Sequence, residues 1–405
     1  MNNTLPSVNY RTRIVSSLSE IGQACWDALI AVQSNANPFL SYAFLDSLHQ
    51  SGCASAASGW QPQYLTIWRE QDGTDVLAAA LPLYAKAHSY GEYVFDWAWA
   101  DAYQRNGLPY YPKLLSAIPF TPVTGNRLLA RDAEALHALV TAIVTIQKSN
   151  DFSSTHILYP PQAEAETLRA AGFMLRTGVQ FHWLNAGYCS FDDFLATLER
   201  KKRKNIRAER RKVQQAGISF LHIRGQDATK EDWIFFKRCY DRTYAMHRST
   251  PYLNLDFFLR IAATMPQHLL LIVAERDEAA LACSLVVYDQ QTLYGRYWGT
   301  MEEIDSLHFE TAYYQPLEFC IAEGIQCFEG GAQGEHKMAR GFLPQKTWSA
   351  HWLAHAAFAD AVEHFLQHES SGIAAYIDEL NEHNPFQNSA KKQDAKLIQS
   401  DIEKT

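Results

Sequence analysis

The sequence has no Cys-x-x-Cys pair, and its seven cysteines, at positions 25, 53, 189, 239, 283, 320 and 327, are odd in number. This excludes a paired-thiolate zinc ribbon and a complete disulfide framework; thiols such as Cys283, in the apolar run LACSLVV, read as small reduced core residues. The 15 histidines include no His-Glu-x-x-His spacing. His351 and His355 fall on a strand-like segment without a carboxylate partner, so no metal site is expected. The absence of Gly-x-Ser-x-Gly removes the serine-hydrolase elbow. The longest apolar stretches, LLLIVA and VLAAALPLYA, are too short to cross a bilayer. The opening MNNTLPSVNYRTRIV lacks the apolar core of a secretory leader, which makes the cytoplasm the expected compartment.

What is present fits a globular chain. With 405 residues, 47% hydrophobic and 20% charged, it is too long for one ordinary core, and two domains are expected. The net charge is -8, yet residues 200–212 hold nine Lys or Arg and one acid, Glu209. That segment therefore carries +8 and the remainder -16, since -16 + 8 = -8. One concentrated basic element on an acidic body suits a local anion site and argues against DNA coating.

Element order suggests a duplication. The first half reads as an extended start and then a helix in RIVSSLSEIGQACWDALI, a short helix in SYAFLDSLHQSG with Ser41 as N-cap and Gly52 as stop, strands PQYLTIWRE and DVLAAALPLYAKA about a turn at Gln71-Asp72-Gly73, an irregular aromatic stretch over 88–127, a helix over 132–149, strand THILYP, helix QAEAETLRAAG and strand VQFHWLNA. The second half reads as one long helix over 191–216 stopped by Gly217, strand ISFLHIRG, two helices, a hairpin about Asp277-Glu278, strand TLYGRYWGTM, a helix interrupted near Pro316 and stopped by Gly324, and strands CFEGG and TWSAHWLAH. The expected boundaries are 13–185 and 186–355 for two domains, 356–384 for a closing helical region and 385–405 for a disordered tail.

Several stretches carry a family resemblance. Lys202-Arg203-Lys204-Asn205-Ile206-Arg207, running to Gly217-Ile218, is similar to the start of the second domain in Fem-type peptidoglycan aminoacyltransferases. The stretches LLLIVAERDEAALACSLVVYDQQTLYGRYWGT and FETAYYQPLEFCIAEGIQCFEGG resemble that family's core hairpin and the helix and acidic strand end that follow. Residues 331–342, GAQGEHKMARGF, resemble the uncharacterised Fem-like branch of the acyltransferase superfamily, linked with peptidoglycan biosynthesis or recognition. The resemblance implies an α/β (α+β) fold of two tandem acyl-CoA N-acyltransferase (GNAT)-like domains with mixed, mostly antiparallel sheets. It implies a transferase that moves an aminoacyl or acyl group onto an amine acceptor such as a peptidoglycan precursor. Aminoacyl-tRNA or acyl-CoA would then be the co-substrate, and tRNA a partner. Two family features are missing: no second long helix precedes ISFLHIRG, and GTMEEIDSLHFE lacks the glycine pattern of an acetyl-CoA pyrophosphate loop.

The candidate site residues follow from the local chemistry. Arg203, Arg207 and Arg210 share one helical face, with Lys204 and Arg211 on a neighbouring row, so several cations can grip an anion; the alternative is a solvated basic flank. The segment GGAQGEHKMARGF sets Gln333, Glu335, His336, Lys337 and Arg340 among glycines at a strand exit. This suits proton handling beside anion binding, with Glu335 or His336 as the catalytic base. Strand alternation puts Tyr294, Arg296 and Trp298 on one face, and Glu310 opens the next helix. In the first half, Asp96, Trp97 and Asp101 mix acids with large rings, a combination suited to sugars or cationic peptides. Two other readings compete with the transferase: a non-catalytic protein that recognises cell-wall precursors, and an RNA-binding module built on the basic helix.

Overall fold

The computed structural model describes residues 9–149, 152–331 and 334–387. It divides into two compact units. Unit 1 takes the chain up to Gly178 together with Thr347–Gly372, and unit 2 takes Val179–Lys346 together with the chain from Ile373. The chain therefore passes between units at three places, where the sequence pattern gives a single cut near 185. The reason is that the last strand and the closing helix as far as Gly372 belong with elements made early in the chain, whereas the rest of that helix, from Ile373 to Glu382, belongs with unit 2.

Unit 1 begins with a four-stranded antiparallel sheet, ordered Tyr10–Val15, Tyr64–Gln71, Thr74–Leu81, Leu129–Ala130. The expected turn joins its central pair. Asp72 and Gly73 both take positive φ (50° and 75°), the two-residue geometry that matches the twist of a hairpin. The helix Ala133–Ser149 lays Leu139 and Ile143 on this sheet, against Leu65, Ile67 and Leu81. A second run of strands in the same unit places Trp60–Pro62, Tyr84–Lys86, Lys113–Ser116, Ser154–Leu158 and residues 349–353 side by side, with only the Lys113–Ser116 and Ser154–Leu158 pair parallel. The aromatic stretch 88–127 is more regular than its composition suggests, since it holds the helix Trp97–Arg105 and the strand Lys113–Ser116. Its prolines and rings mask both periodicities.

Unit 2 is built on a meander of Ser219–Arg224, Leu269–Arg276, Ala279–Tyr288 and Thr292–Thr300, each antiparallel to the next. Cys327–Glu329 follows in parallel with the last of these, and pairs on its other side with the chain at His182–Leu184. The helix Lys230–Met246 presses on the meander so closely that a Cβ on Gly299 would stand 2.0 Å from the Cys239 carbonyl oxygen. Only glycine fits there. The expected single helix over 191–216 is two helices, Phe191–Thr197 and Arg200–Gln215. Leu198 between them is extended (φ -80°, ψ 156°), fully buried in the unit 2 core and bridged to Phe386. Burying one leucine at that depth outweighs continuing a helix through the five consecutive cations Arg200–Lys204. Phe386 itself is buried, so the chain is still packed at a position assigned to the tail, and residues 388–405 of that tail lie outside the described residues.

Four cysteines are buried as expected, Cys53, Cys239, Cys283 and Cys320; Cys25 and Cys327 are half-buried, and Cys189, just before the N-cap Ser190, is exposed.

Candidate functional site

In unit 2 the strand Thr292–Thr300 pairs with Cys327–Glu329 over three rungs, the last being Tyr294 with Glu329. There the parallel ladder ends. On its other edge the pairing with Ala279–Tyr288 jumps from Gly295 to Tyr297, which leaves Arg296 as an extra residue. Such bulges re-aim side chains and recur beside functional sites. The bulge overturns the expected alternation. Tyr294 lies opposite Val287 and Tyr297 opposite Leu285, so those two tyrosines share a face while Trp298, opposite Ser284, turns to the other. Arg296 is half-buried, donates to the Tyr297 hydroxyl at 3.2 Å and lies 5.1 Å from that ring's centre.

At the last rung stands Glu329, whose side chain is 12% exposed. One carboxylate oxygen, Oε2, is buried with no hydrogen-bond partner and lies 4.0 Å from His182 Nε2, which also lacks one. Burial lifts the Glu329 carboxyl to about 8 against the pull of Arg296, and Asp289 adds to the rise. Burial lowers His182 to about 4, with Lys337 contributing. The Lys337 ammonium is buried and held down to about 8, and it donates to the Gly331 carbonyl at 3.0 Å. Glu329 directly precedes Gly330, against which the Lys337 side chain packs: its Cδ would stand 3.2 Å from a Cβ there. Sequence reasoning passed over Glu329; the signal was an acid ending an apolar strand directly before two glycines.

Gly331, Gly334 and Gly341 take positive φ (86°, 118° and 88°), and the last two flank a 3-10 turn, Glu335–Arg340. Arg340 is buried. It donates to both Glu209 oxygens at 3.0 Å and to the His336 carbonyl at 2.8 Å, and its guanidinium stacks 3.4 Å from the Phe309 ring centre. Tyr314 donates to the same Glu209 carboxylate. The single acid of the basic helix thus ties that helix to this turn. His336 is exposed, within 3.3 Å of the Tyr313 hydroxyl, and is held below its usual range by burial of its ring and then by Lys337 and Arg340. Glu335 is exposed and accepts from Tyr376. Gln333 lies outside the described residues.

Glu310 does not open its helix. The helix starts at Leu307–Phe309, widens to a π turn over Glu310–Tyr314 and resumes at Gln315–Glu323. Pro316 supplies the cause, because it has no N–H to give the carbonyl one turn back. The widened turn aims Glu310 at Arg210, which donates to it at 3.1 and 3.2 Å and to Glu318 at 2.8 Å, while Gln315 donates to Glu310 at 2.8 Å. Arg210, Arg207 and Arg211 line a hollow of about 520 Å³ with Ser190, Asp192 and Glu318. Arg207 also donates to Asp192 at 3.0 Å. Arg203 instead turns to the Ala196 carbonyl at 3.2 Å, and Lys204 is exposed; neither lines that hollow.

In unit 1, Asp96 is buried rather than offered to a ligand. Lys113, wholly buried, donates to it, to Glu92 at 2.8 Å and to Ser89 at 2.8 Å. Tyr110 donates to Asp96 at 2.7 Å, and its oxygen lies 3.1 Å from His156 Nε2, which Ser154 Oγ approaches at 2.8 Å. His156 Nδ1 and His351 Nδ1 share one hydrogen bond at 2.8 Å, so one ring donates and the other accepts there, and His351 Nε2 lies 2.8 Å from Ser349 Oγ. The partner of His351 is a histidine 195 positions away, invisible to local spacing. Trp97 and Asp101 are exposed. Among the described residues, no three His, Cys, Asp or Glu side chains are placed to share a metal ion, and no helix is long and apolar enough to cross a membrane.

The chain resembles several solved structures. FemX is 12% identical, with 87% of this chain and 100% of that one covered and a TM-score of 0.54. A conserved protein of unknown function from Bacteroides thetaiotaomicron is 12% identical (84% and 99% covered, TM-score 0.51). The C-terminal domain of a putative lysylphosphatidylglycerol synthetase from Agrobacterium fabrum is 10% identical (85% and 96% covered, TM-score 0.50). At such identities the likeness shows the fold, the mixed α/β architecture of two acyltransferase-like units that the sequence resemblance implied. No curated protein matches the chain. Residues 17–388 match the FemAB-like family, described as peptidoglycan biosynthesis/recognition, and the chain belongs to that family.

Proposed function

We propose that this protein is a transferase that moves an aminoacyl or acyl group onto an amine, with the reacting centre at the strand fork of unit 2 and a peptidoglycan-precursor peptide as acceptor. The observation that carries the reading is Glu329. It is an enclosed carboxylate with one unpartnered oxygen and a proton affinity near 8, at the point where the parallel ladder ends. An acceptor amine arrives as an ammonium ion and must lose a proton before its lone pair can attack the donor carbonyl. A carboxylate of matched affinity takes that proton efficiently. The C–N bond then forms, and the carbonyl oxygen carries the negative charge. Lys337 and Arg296 supply positive charge at this end of the sheet. Collapse expels the donor's oxygen or sulfur, which leaves with a proton. The three arginines of the hollow on the basic helix suit the phosphates of a tRNA end, a CoA or a nucleotide-linked precursor.

The test is a mass-shift assay on a UDP-linked precursor peptide, with aminoacyl-tRNA and acetyl-CoA supplied separately as donors. The expected result is transfer from one donor, lost in Glu329→Gln. Saturable binding of the precursor with no transfer from either donor would make the chain a recognition protein instead and overturn the proposal.

A further inference from the structure

Unit 1 holds a pocket of its own, about 500 Å³ in volume, that the proposed transfer does not use. One wall is a face of the helix Trp97–Arg105, where Trp97, Ala100, Asp101 and Gln104 recur at helical spacing; Tyr110 and Tyr111 line it as well. Three features mark it as built for a ligand. Trp97 is left 40% exposed, with Tyr90 (56% exposed) set edge-on to it, ring centres 4.9 Å apart. Both wall tyrosines are held from behind. Tyr110 is fixed by Asp96 and His156, and the Tyr111 hydroxyl lies 2.8 Å from Ser89 Oγ, itself bonded by Lys113 at 2.8 Å. A buried ion cluster costs stability, and here it fixes the rings in advance of binding. Lastly, the lining is electrically balanced. It contains no cation, and its one carboxylate, Asp101, is already paired with Arg105 on the same helix.

This composition selects the ligand. A lining without cations does not hold an anion, and a neutralised acid gives a free cation little advantage. What fits is a neutral molecule with an apolar face for the rings and a polar edge for the Gln104 carboxamide and the Asp101 carboxylate. We propose that the pocket of unit 1 binds a neutral saccharide ring. An N-acetyl group on that ring can pair with the Gln104 carboxamide, and Ala100 leaves room for it. The site is independent of the transfer reaction assigned to unit 2.

Titration of the full chain with the β-1,4 dimer of N-acetylglucosamine, followed by tryptophan fluorescence and saturation-transfer NMR, tests this. Saturable binding is expected. Trp97→Ala and Gln104→Ala should each weaken it about tenfold or more. Both positions are exposed, so melting temperatures should hold. Ala100→Trp should fill the pocket and abolish binding, and Glu329→Gln should leave it unchanged. The assignment is overturned by no binding to the unaltered chain, by undiminished binding in Trp97→Ala, by a sensitivity to Glu329→Gln, or by preferential binding of tetramethylammonium or inorganic phosphate.

Discussion

Glu329 shows how burial changes what a residue type can do. In water its carboxyl would be ionised at neutral pH; enclosed beside His182, it holds its proton up to about 8. The sign of the stability effect follows. The folded form binds the proton more tightly than the unfolded chain, so Glu329 costs nothing below pH 4.5 and destabilises increasingly as pH rises from there to 8. Glu329→Gln should therefore melt like the parent at pH 4.5 and higher than it at pH 8.5, by roughly 1–3 kcal/mol for a relieved buried group. In the transfer assay the same change should lower the rate by about 10²–10⁴. A variant that is destabilised at high pH and retains transfer would show Glu329 to be a packing residue. Arg340 and Lys337 were legible in the sequence, since two cations among glycines at a strand exit have few other reasons to be there. Glu329 was hidden because one acid at a strand end looks like any other until its surroundings are known.

The basic helix is not one surface. Its cations divide between buried partners and solvent, and the two groups should respond differently to substitution. Arg210 serves Glu310, which is 3% exposed and reached only because the π turn before Pro316 widens the opposing helix. Arg210→Met leaves that carboxylate buried and uncompensated, and should cost about 2–4 kcal/mol. Adding Glu310→Gln should recover more than half of this, measured by denaturant unfolding. Arg207, paired with Asp192 at the surface, should tolerate alanine within about 0.5 kcal/mol. Its loss should appear in phosphate-ligand binding instead. Equal stability costs at Arg207 and Arg210 would contradict this division.

Across the molecule, acid sensitivity is the expected consequence of enclosed neutral histidines. Burial holds His49, His182 and His308 to about 4 and His156 to about 3, and it pushes His351 well below the usual imidazole range, helped by His156 beside it. Each binds its proton more tightly when unfolded, so each contribution is complete above about 6.5 and is lost as pH falls below that value. The fully developed slope is about 1.4 kcal/mol per pH unit for each histidine. Melting temperature should fall steadily from pH 7 to pH 5, more steeply than in the double variant His156→Gln, His351→Gln. Parallel curves for the two proteins would remove the buried pair as the cause. Asp96 adds in the same direction. Lys113 holds its carboxyl well below the usual range despite burial, so that stability exists above 3.8 and is lost in strong acid.

Periodicity and glycine placement were enough to determine the hairpins at Asp72-Gly73 and Asp277-Glu278 and the stops at Gly217 and Gly324, because each is a local preference written in neighbouring residues; the class of fold and the family were legible only as a resemblance, carried by the basic stretch from Lys202 and by residues 331–342. The break at Leu198, the bulge at Arg296 and the π turn at Glu310 needed the packed structure: a core position, a strand partner and an opposing arginine decide them, and local propensity is too weak to compete with burial. The same holds for the groups with perturbed proton affinity. Glu329 with His182, Asp96 with Lys113 and His156 with His351 are contacts between distant segments, and their chemistry arises only when folding removes water from between them.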